Sequence, residues 1–190
     1  VNTRELVSRF GACTPQPASD WQGDIPLPDE IARFYQEVGP LGEHGRKGYQ
    51  GVTLPGDGND IYLVPLAGLW KEQAGYRWDG RTREPIDEWP SQWIVLAWEG
   101  ADAYIFDAET KSMLFALPGA WPDDVHPIGG GPTEVVGALA LYRLRCEEAG
   151  DDALTADFEP RPEWVDSVRK ELIEEFGPAG EGVVKILTEI

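Results

Sequence analysis

Trp93-Ile94-Val95-Leu96-Ala97-Trp98-Glu99-Gly100-Ala101-Asp102-Ala103-Tyr104-Ile105-Phe106-Asp107 is the stretch that decides the fold. Its first apolar run, Ile94 to Trp98, halts at the polar turn Glu99-Gly100-Ala101-Asp102, and Ala103 to Phe106 forms a second run that Asp107 closes. Met113 to Leu117 is a third run, set off by the polar break Glu109-Thr110-Lys111-Ser112. Short runs rich in Ile, Val, Tyr and Phe, joined by only a few turn-forming residues, predict antiparallel hairpins, because parallel neighbours need a much longer crossover. A meander is therefore the expected centre of the fold.

Working toward the N-terminus, Ile61-Tyr62-Leu63-Val64 reads as a further strand that Pro65 ends, preceded by the turn chemistry of Gly56-Asp57-Gly58-Asn59-Asp60. A weaker strand pattern lies around Tyr49 to Leu54. Residues 66 to 76 fit a short helix with Leu66, Leu69 and Trp70 inward. Ile31, Phe34, Tyr35 and Val38 fall at helical spacing behind Leu27-Pro28-Asp29-Glu30, where proline suits the first turn and the two acids suit the positive end of the helix dipole. Residues 2 to 10 fit a short helix capped by Asn2 or Thr3, and the proline-rich stretch from Cys13 to Pro28 reads as irregular.

Working toward the C-terminus, Pro118 to Asp124 has no periodic pattern and reads as a long connection. Thr133 to Glu148 carries the spacing Val135, Val136, Leu139, Ala140, Leu144 of a helix packed on a sheet. Trp164, Val168, Leu172, Ile173 and Phe176 mark another amphipathic helix ended by Gly177-Pro178, and Val183 to Ile190 forms a last short element. The sum is an α+β domain, a mostly antiparallel sheet with helices packed against it.

The chain of 190 residues fits one domain, and its 42% apolar content with eight Trp, six Tyr and six Phe can fill a core without disulfides or metal. Cys13 and Cys146 form no paired motif, which points to free thiols in a reducing compartment. Arg4, Glu5 and Arg9 interrupt any leader-like apolar stretch, and no run reaches the ~20 apolar residues of a membrane span, so the expected location is cytoplasmic. Thirty-four acidic against sixteen basic residues leave a net charge of −18. That field repels phosphate backbones and anionic lipid, which disfavours direct nucleic-acid or membrane binding; the charge reads either as a means of solubility, as in a high-salt or acid-rich proteome, or as steering toward a basic protein partner.

Catalytic signals are sparse. His44 and His126 are the two histidines, and neither stands beside a nucleophile motif. His126 with Asp123 and Asp124 puts an imidazole and two carboxylates within four residues, which reads more simply as a polar turn than as a metal site. In Asp57-Gly58-Asn59-Asp60, Ile61 occupies the place of a calcium loop's third oxygen ligand. Gly129-Gly130-Gly131 lacks the following Lys and Ser or Thr of a phosphate loop. No cofactor, metal or catalytic residue is expected. Trp78, Trp89 and Trp121 lie in the expected loops, where tryptophan acts as a core plug or an interface anchor, and core burial is the favoured reading.

The order of elements resembles the SMI1/KNR4 family, the SUKH superfamily. The resemblance is carried by Leu27-Pro28-Asp29-Glu30-Ile31-Ala32-Arg33-Phe34-Tyr35, by Ile61-Tyr62-Leu63-Val64-Pro65-Leu66-Ala67-Gly68-Leu69, and by Trp93-Ile94-Val95-Leu96-Ala97 with Asp102-Ala103-Tyr104-Ile105-Phe106-Asp107. It covers a core of about residues 27 to 150, leaving 151 to 190 as a C-terminal helical extension of the same domain. Where family members commonly have Asn-Gly after the opening helix, this chain has Val38-Gly39-Pro40. The resemblance implies, for bacterial members, a non-enzymatic cytoplasmic immunity protein that binds and neutralises a cognate toxin, often a nuclease. Fungal members act as interaction proteins in cell-wall signalling. The partner-binding residues expected on this reading are the acids of the meander turn and its flanking loops: Glu84, Asp87, Glu88, Glu99, Asp102, Asp123 and Asp124. The rival is a small-molecule sensor or enzyme with a pocket near Trp121 to Pro127 and His126 as acid or base.

Overall fold

The computed structural model describes residues 1–42, 51–56, 59–155, 157 and 160–190. His44, the start of the strand expected around Tyr49, and the Asp57-Gly58 pair lie outside the described residues. Six strands form one antiparallel sheet in chain order, β1 (Val52–Leu54), β2 (Ile61–Leu63), β3 (Trp93–Glu99), β4 (Asp102–Asp107), β5 (Ser112–Ala116) and β6 (His126–Pro127). The expected α+β class is therefore what the chain adopts, with the meander β3–β4–β5 at its centre. Every ladder in the sheet is antiparallel, as short connections between consecutive strands require.

The central strands are apolar on both faces, which explains why their sequence reads as continuous runs rather than as an in-out alternation. Ile94, Leu96, Tyr104, Phe106, Met113 and Phe115 belong to the main core, under the helices. Trp93, Val95, Ala103, Ile105, Leu114 and Ala116 belong to a second cluster. A bulge between Val95 and Ala97 makes Leu96 an extra residue opposite β4, so that Leu96 and Ala97 both join the main core.

The helices are α1 (Thr3–Val7), α2 (Asp29–Glu37), α3 (Leu66–Leu69), α4 (Pro132–Ala149), α5 (Pro162–Phe176) and α6 (Pro178–Glu189). The Asn2 side chain caps α1 by accepting from the Arg4 and Glu5 N–H groups. In α4, Pro132 opens the first turn and the Glu134 carboxylate accepts from the Gly131 N–H at 3.1 Å. From Val135 to Arg143 every residue of α4 is buried, because α1, α5 and α6 pack around it while the sheet lies beneath. The C-terminal helices are thus part of the main core, to which α5 contributes Val168 and Leu172 and α6 contributes Val183, Val184 and Ile186. The last helix is longer than the expected element Val183 to Ile190 because Pro178-Ala179-Gly180-Glu181-Gly182 is its first turn and a half. Small residues are needed there: a Cβ on Gly182 would stand 1.9 Å from the Ile128 carbonyl oxygen, and one on Gly180 would stand 2.1 Å from that of Leu172.

Among the described residues, the sheet's second face carries no helix layer of that kind. Between α3 and β3 the chain runs through a single 3₁₀ turn, Lys71–Gln73, and then an irregular path that covers this face with side chains. Gln73 holds that cover in place. It is fully buried, its amide donates to the Leu69 and Val95 carbonyls at 2.9 Å each, and its carbonyl accepts from the Val95 N–H at 2.9 Å. β2 pairs with β3 only at Ala97–Glu99, so Gln73 stands in for the missing strand beyond that point. Arg77 donates to the Ser91 and Trp93 carbonyls at 2.7 Å, and Trp89 Nε1 to that of Trp93 at 3.1 Å. Together they leave little of this edge of β3 unpaired.

Candidate functional site

The cover on the second face is built from Tyr76, Ile86 and Trp89 on one loop and Trp121 and Val125 on another. Trp89 is the hub. Its ring packs on Tyr76 at 5.3 Å, on Trp93 at 5.6 Å and on Trp121 at 5.1 Å between centroids. Such edge and tilted contacts each add about 0.5–1.5 kcal/mol beyond area burial, enough to hold two irregular segments together. Of the three loop tryptophans, Trp89 is buried, as a plug beneath its loop, whereas Trp78 and Trp121 remain half-buried.

The seven expected acids are placed unevenly around this cover. Asp87 and Glu88 are exposed and immediately precede the hub residue Trp89, while Asp123 and Asp124 are exposed and follow Trp121 by two and three residues. The Trp89–Trp121 contact brings these two pairs to one region. Asp102 opens β4 and is half-buried. Burial, and then the charge of Glu99, raise its pKa, and its own charge adds to the burial that raises the Tyr76 hydroxyl, which puts Asp102 beside the same cover.

Glu84 and Glu99 stand apart from that group. Glu84 lies at the base of a tight loop in which the Asp79 carboxylate accepts from the Arg81 and Thr82 N–H groups at 2.8 Å, and exposed Arg81 and Arg83 give the tip mixed charge. Glu99 turns inward. Its Oε1 accepts from Arg143 Nη2 at 2.6 Å and its Oε2 from the Tyr104 hydroxyl at 3.0 Å. Arg143 also donates to the Asn59 carbonyl at 3.3 Å, so this largely buried pair ties α4 to the β3–β4 turn and to the loop before β2. Charges removed from water to this degree persist only with such partners.

His126 lies in β6 with its side chain partly exposed, and its Nε2 is 4.0 Å from Asp124 Oδ1. Among the described residues no group of three or more His, Cys, Asp or Glu side chains is arranged to hold a metal ion. Cys13 and Cys146 are not joined in a disulfide. No helix among the described residues is long and apolar enough to cross a membrane.

Three features of this site were not singled out from sequence. Tyr76 looks like one aromatic residue in a polar stretch, and Arg143 is separated from Glu99 by 44 positions. Leu117 reads as the end of the third apolar run, yet it lies one residue beyond β5 and is 37% exposed. Comparison with models of protein families, with curated proteins and with solved structures finds no match for this chain.

Proposed function

We propose that this protein is a non-enzymatic binding module of the immunity type, cytoplasmic, which neutralises a cognate toxin by docking its acidic loops onto a basic domain of that toxin, such as a nuclease. One observation carries the reading: the Trp89–Trp121 ring contact joins the loop that bears the exposed Asp87 and Glu88 to the loop that bears the exposed Asp123 and Asp124. Carboxylates concentrated in this way on a chain of net charge −18 attract a cationic surface and accelerate encounter with it. A nuclease's substrate groove is such a surface, since it must itself attract phosphates. The SMI1/KNR4-like order of elements supports the same reading.

The test is to mix the purified chain with the basic toxin domain encoded beside its gene and to follow complex formation and toxin activity together. Complex formation with loss of activity is expected. Absence of a complex at micromolar concentration, with activity unchanged, would overturn the proposal. Charge reversal at Asp123 and Asp124 should slow association strongly at low salt and weakly at high salt, because the screening length falls from about 30 Å at 0.01 M to about 3 Å at 1 M.

A further inference from the structure

We infer that residues 17–28 form a strap that opens while the rest of the fold stays intact, and that the Trp21 ring seated on Trp70 is its latch. Opening uncovers the Trp70 indole and the Arg77 guanidinium beside it, so the strap switches that surface between a covered and a presented state. The inference is independent of the partner-binding reading above.

Both ends of the strap are fixed. At the first, Gln16 is buried: its N–H donates to the Tyr35 carbonyl at 3.0 Å, its side-chain amide donates to the Pro40 carbonyl at 2.8 Å, and its side-chain oxygen accepts from the Leu66 N–H at 2.7 Å. At the second, Pro28 precedes α2 and its carbonyl accepts from the Ala32 N–H. Between them, among the described residues, no hydrogen bond joins residues 18–27 to the chain outside the strap. The bonds present stay inside: the Asp20 N–H donates to the Pro17 carbonyl, the Trp21 N–H to that of Ala18, and Trp21 Nε1 to that of Ile25 at 2.8 Å. The Trp21 ring folds back over Gly23, where a Cβ would stand 2.1 Å from it. Pro17, Pro26 and Pro28 stiffen this self-contained piece, so it moves as a unit.

Side chains alone hold it down. Trp21, Ile25 and Leu27 rest half-buried on the margin of the main core, and no residue from 17 to 28 is fully buried. Trp21 meets Trp70 edge-on at 5.4 Å between centroids, and the charge of Asp24 reaches the Arg77 guanidinium. The cover on the sheet's second face is held differently, since Gln73, Arg77 and Trp89 bond it to the backbone of β3. Segments with few buried apolar contacts and no hydrogen bonds to their surroundings are the ones that open locally. The surface beneath the latch is also built apart from the cores. Trp70 and Trp78 belong to neither apolar cluster; their rings pack on each other at 5.1 Å, with the Arg77 guanidinium 5.2 Å from the centre of the Trp70 ring. Lifting the strap therefore leaves the buried residues of both cores in place.

Native-state proteolysis of the full chain reads the opening, with subtilisin as the protease and the fragments sized by mass spectrometry. Cleavage within residues 18–27 is expected, at a rate unchanged by urea below the unfolding transition, because a local opening exposes little surface. Trp21→Ala removes the latch, and Gly23→Ala displaces its ring while keeping the indole. Each should raise that cleavage rate about two- to tenfold, the range of an edge-on ring contact, and leave the urea midpoint of global unfolding nearly unchanged. In the unsubstituted chain, NMR relaxation dispersion should show exchange at the amides of residues 18–27 and at the Trp21 and Trp70 indoles, with the sheet quiet. Strap cleavage that rises with urea in step with global unfolding, or that neither variant accelerates, would overturn the inference. So would dispersion that spreads through β3, β4 and β5 or is absent from the two indoles.

Discussion

Asp102 and Glu99 show how two acids three positions apart acquire opposite roles. Glu99 is satisfied by Arg143 and Tyr104, while Asp102, opposite it in the β3–β4 register, has neither partner and carries a raised pKa from burial and from Glu99 itself. A carboxyl whose folded pKa lies above its unfolded value destabilises the folded chain when ionised. That cost is fully present above the folded pKa and fades as pH falls through it toward the unfolded value near 3.8. Asp102→Asn should therefore raise the unfolding midpoint at pH 7, with the gain shrinking as the pH is lowered past the raised pKa, measured by chemical denaturation across pH 3 to 8. A gain that grows toward acid pH would show that Asp102 is stabilised by its surroundings. If Asp102 faces the partner, the same substitution weakens the complex, so stability and binding make opposite demands at this position.

Among the elements, β3, β4 and β5 were the most legible because each is buried on both faces, so almost every residue is apolar and the breaks between them are polar. β6 was not legible, since two residues ending in proline leave no pattern, and it exists only because Ile128 and Gly130 continue its pairing with Met113. The start of α6 was missed for a different reason: its glycines answer to the Ile128 and Leu172 backbones, which no local reading contains. The cover of the second sheet face was half legible. Its tryptophans stood out, but the residue that fixes the cover, Gln73, is a lone polar side chain whose partners on Val95 are 22 positions away. Gln73→Leu keeps the approximate volume and removes every bond of that amide, orphaning both backbone groups of Val95. At about 1–3 kcal/mol per buried unsatisfied group, a loss of about 2–5 kcal/mol is expected in denaturant unfolding, with faster hydrogen exchange at the Val95 amide. A loss below about 0.5 kcal/mol would mean that β3 finds other partners on this edge.

At the scale of the whole molecule, the sheet separates two unlike halves: a helical side that carries most of the buried apolar area and a loop side that carries the aromatic cover and its acids. The family-like pattern over residues 27 to 150 drew attention to the sheet and left α5 and α6 as an extension, although the helical side includes both. Removing residues 151–190 strips Val168, Leu172, Val183, Val184 and Ile186 from the core and uncovers one side of α4. At roughly 1.5–3 kcal/mol for each fully buried aliphatic side chain, the loss is as large as the 5–15 kcal/mol by which a domain is ordinarily stable. The 1–150 fragment should accordingly show no cooperative thermal transition by circular dichroism, and a sharp transition near that of the full chain would make the last two helices dispensable.

The two-residue strand at the sheet's margin carries a consequence for how any other chain can join this one. Pro127 has no N–H to offer, and His126 alone cannot supply the run of alternating donors and acceptors that an incoming extended peptide needs. Strand addition, the usual route to runaway self-association for sheet proteins, is therefore closed on that flank. A visitor arriving there must be gripped by side chains.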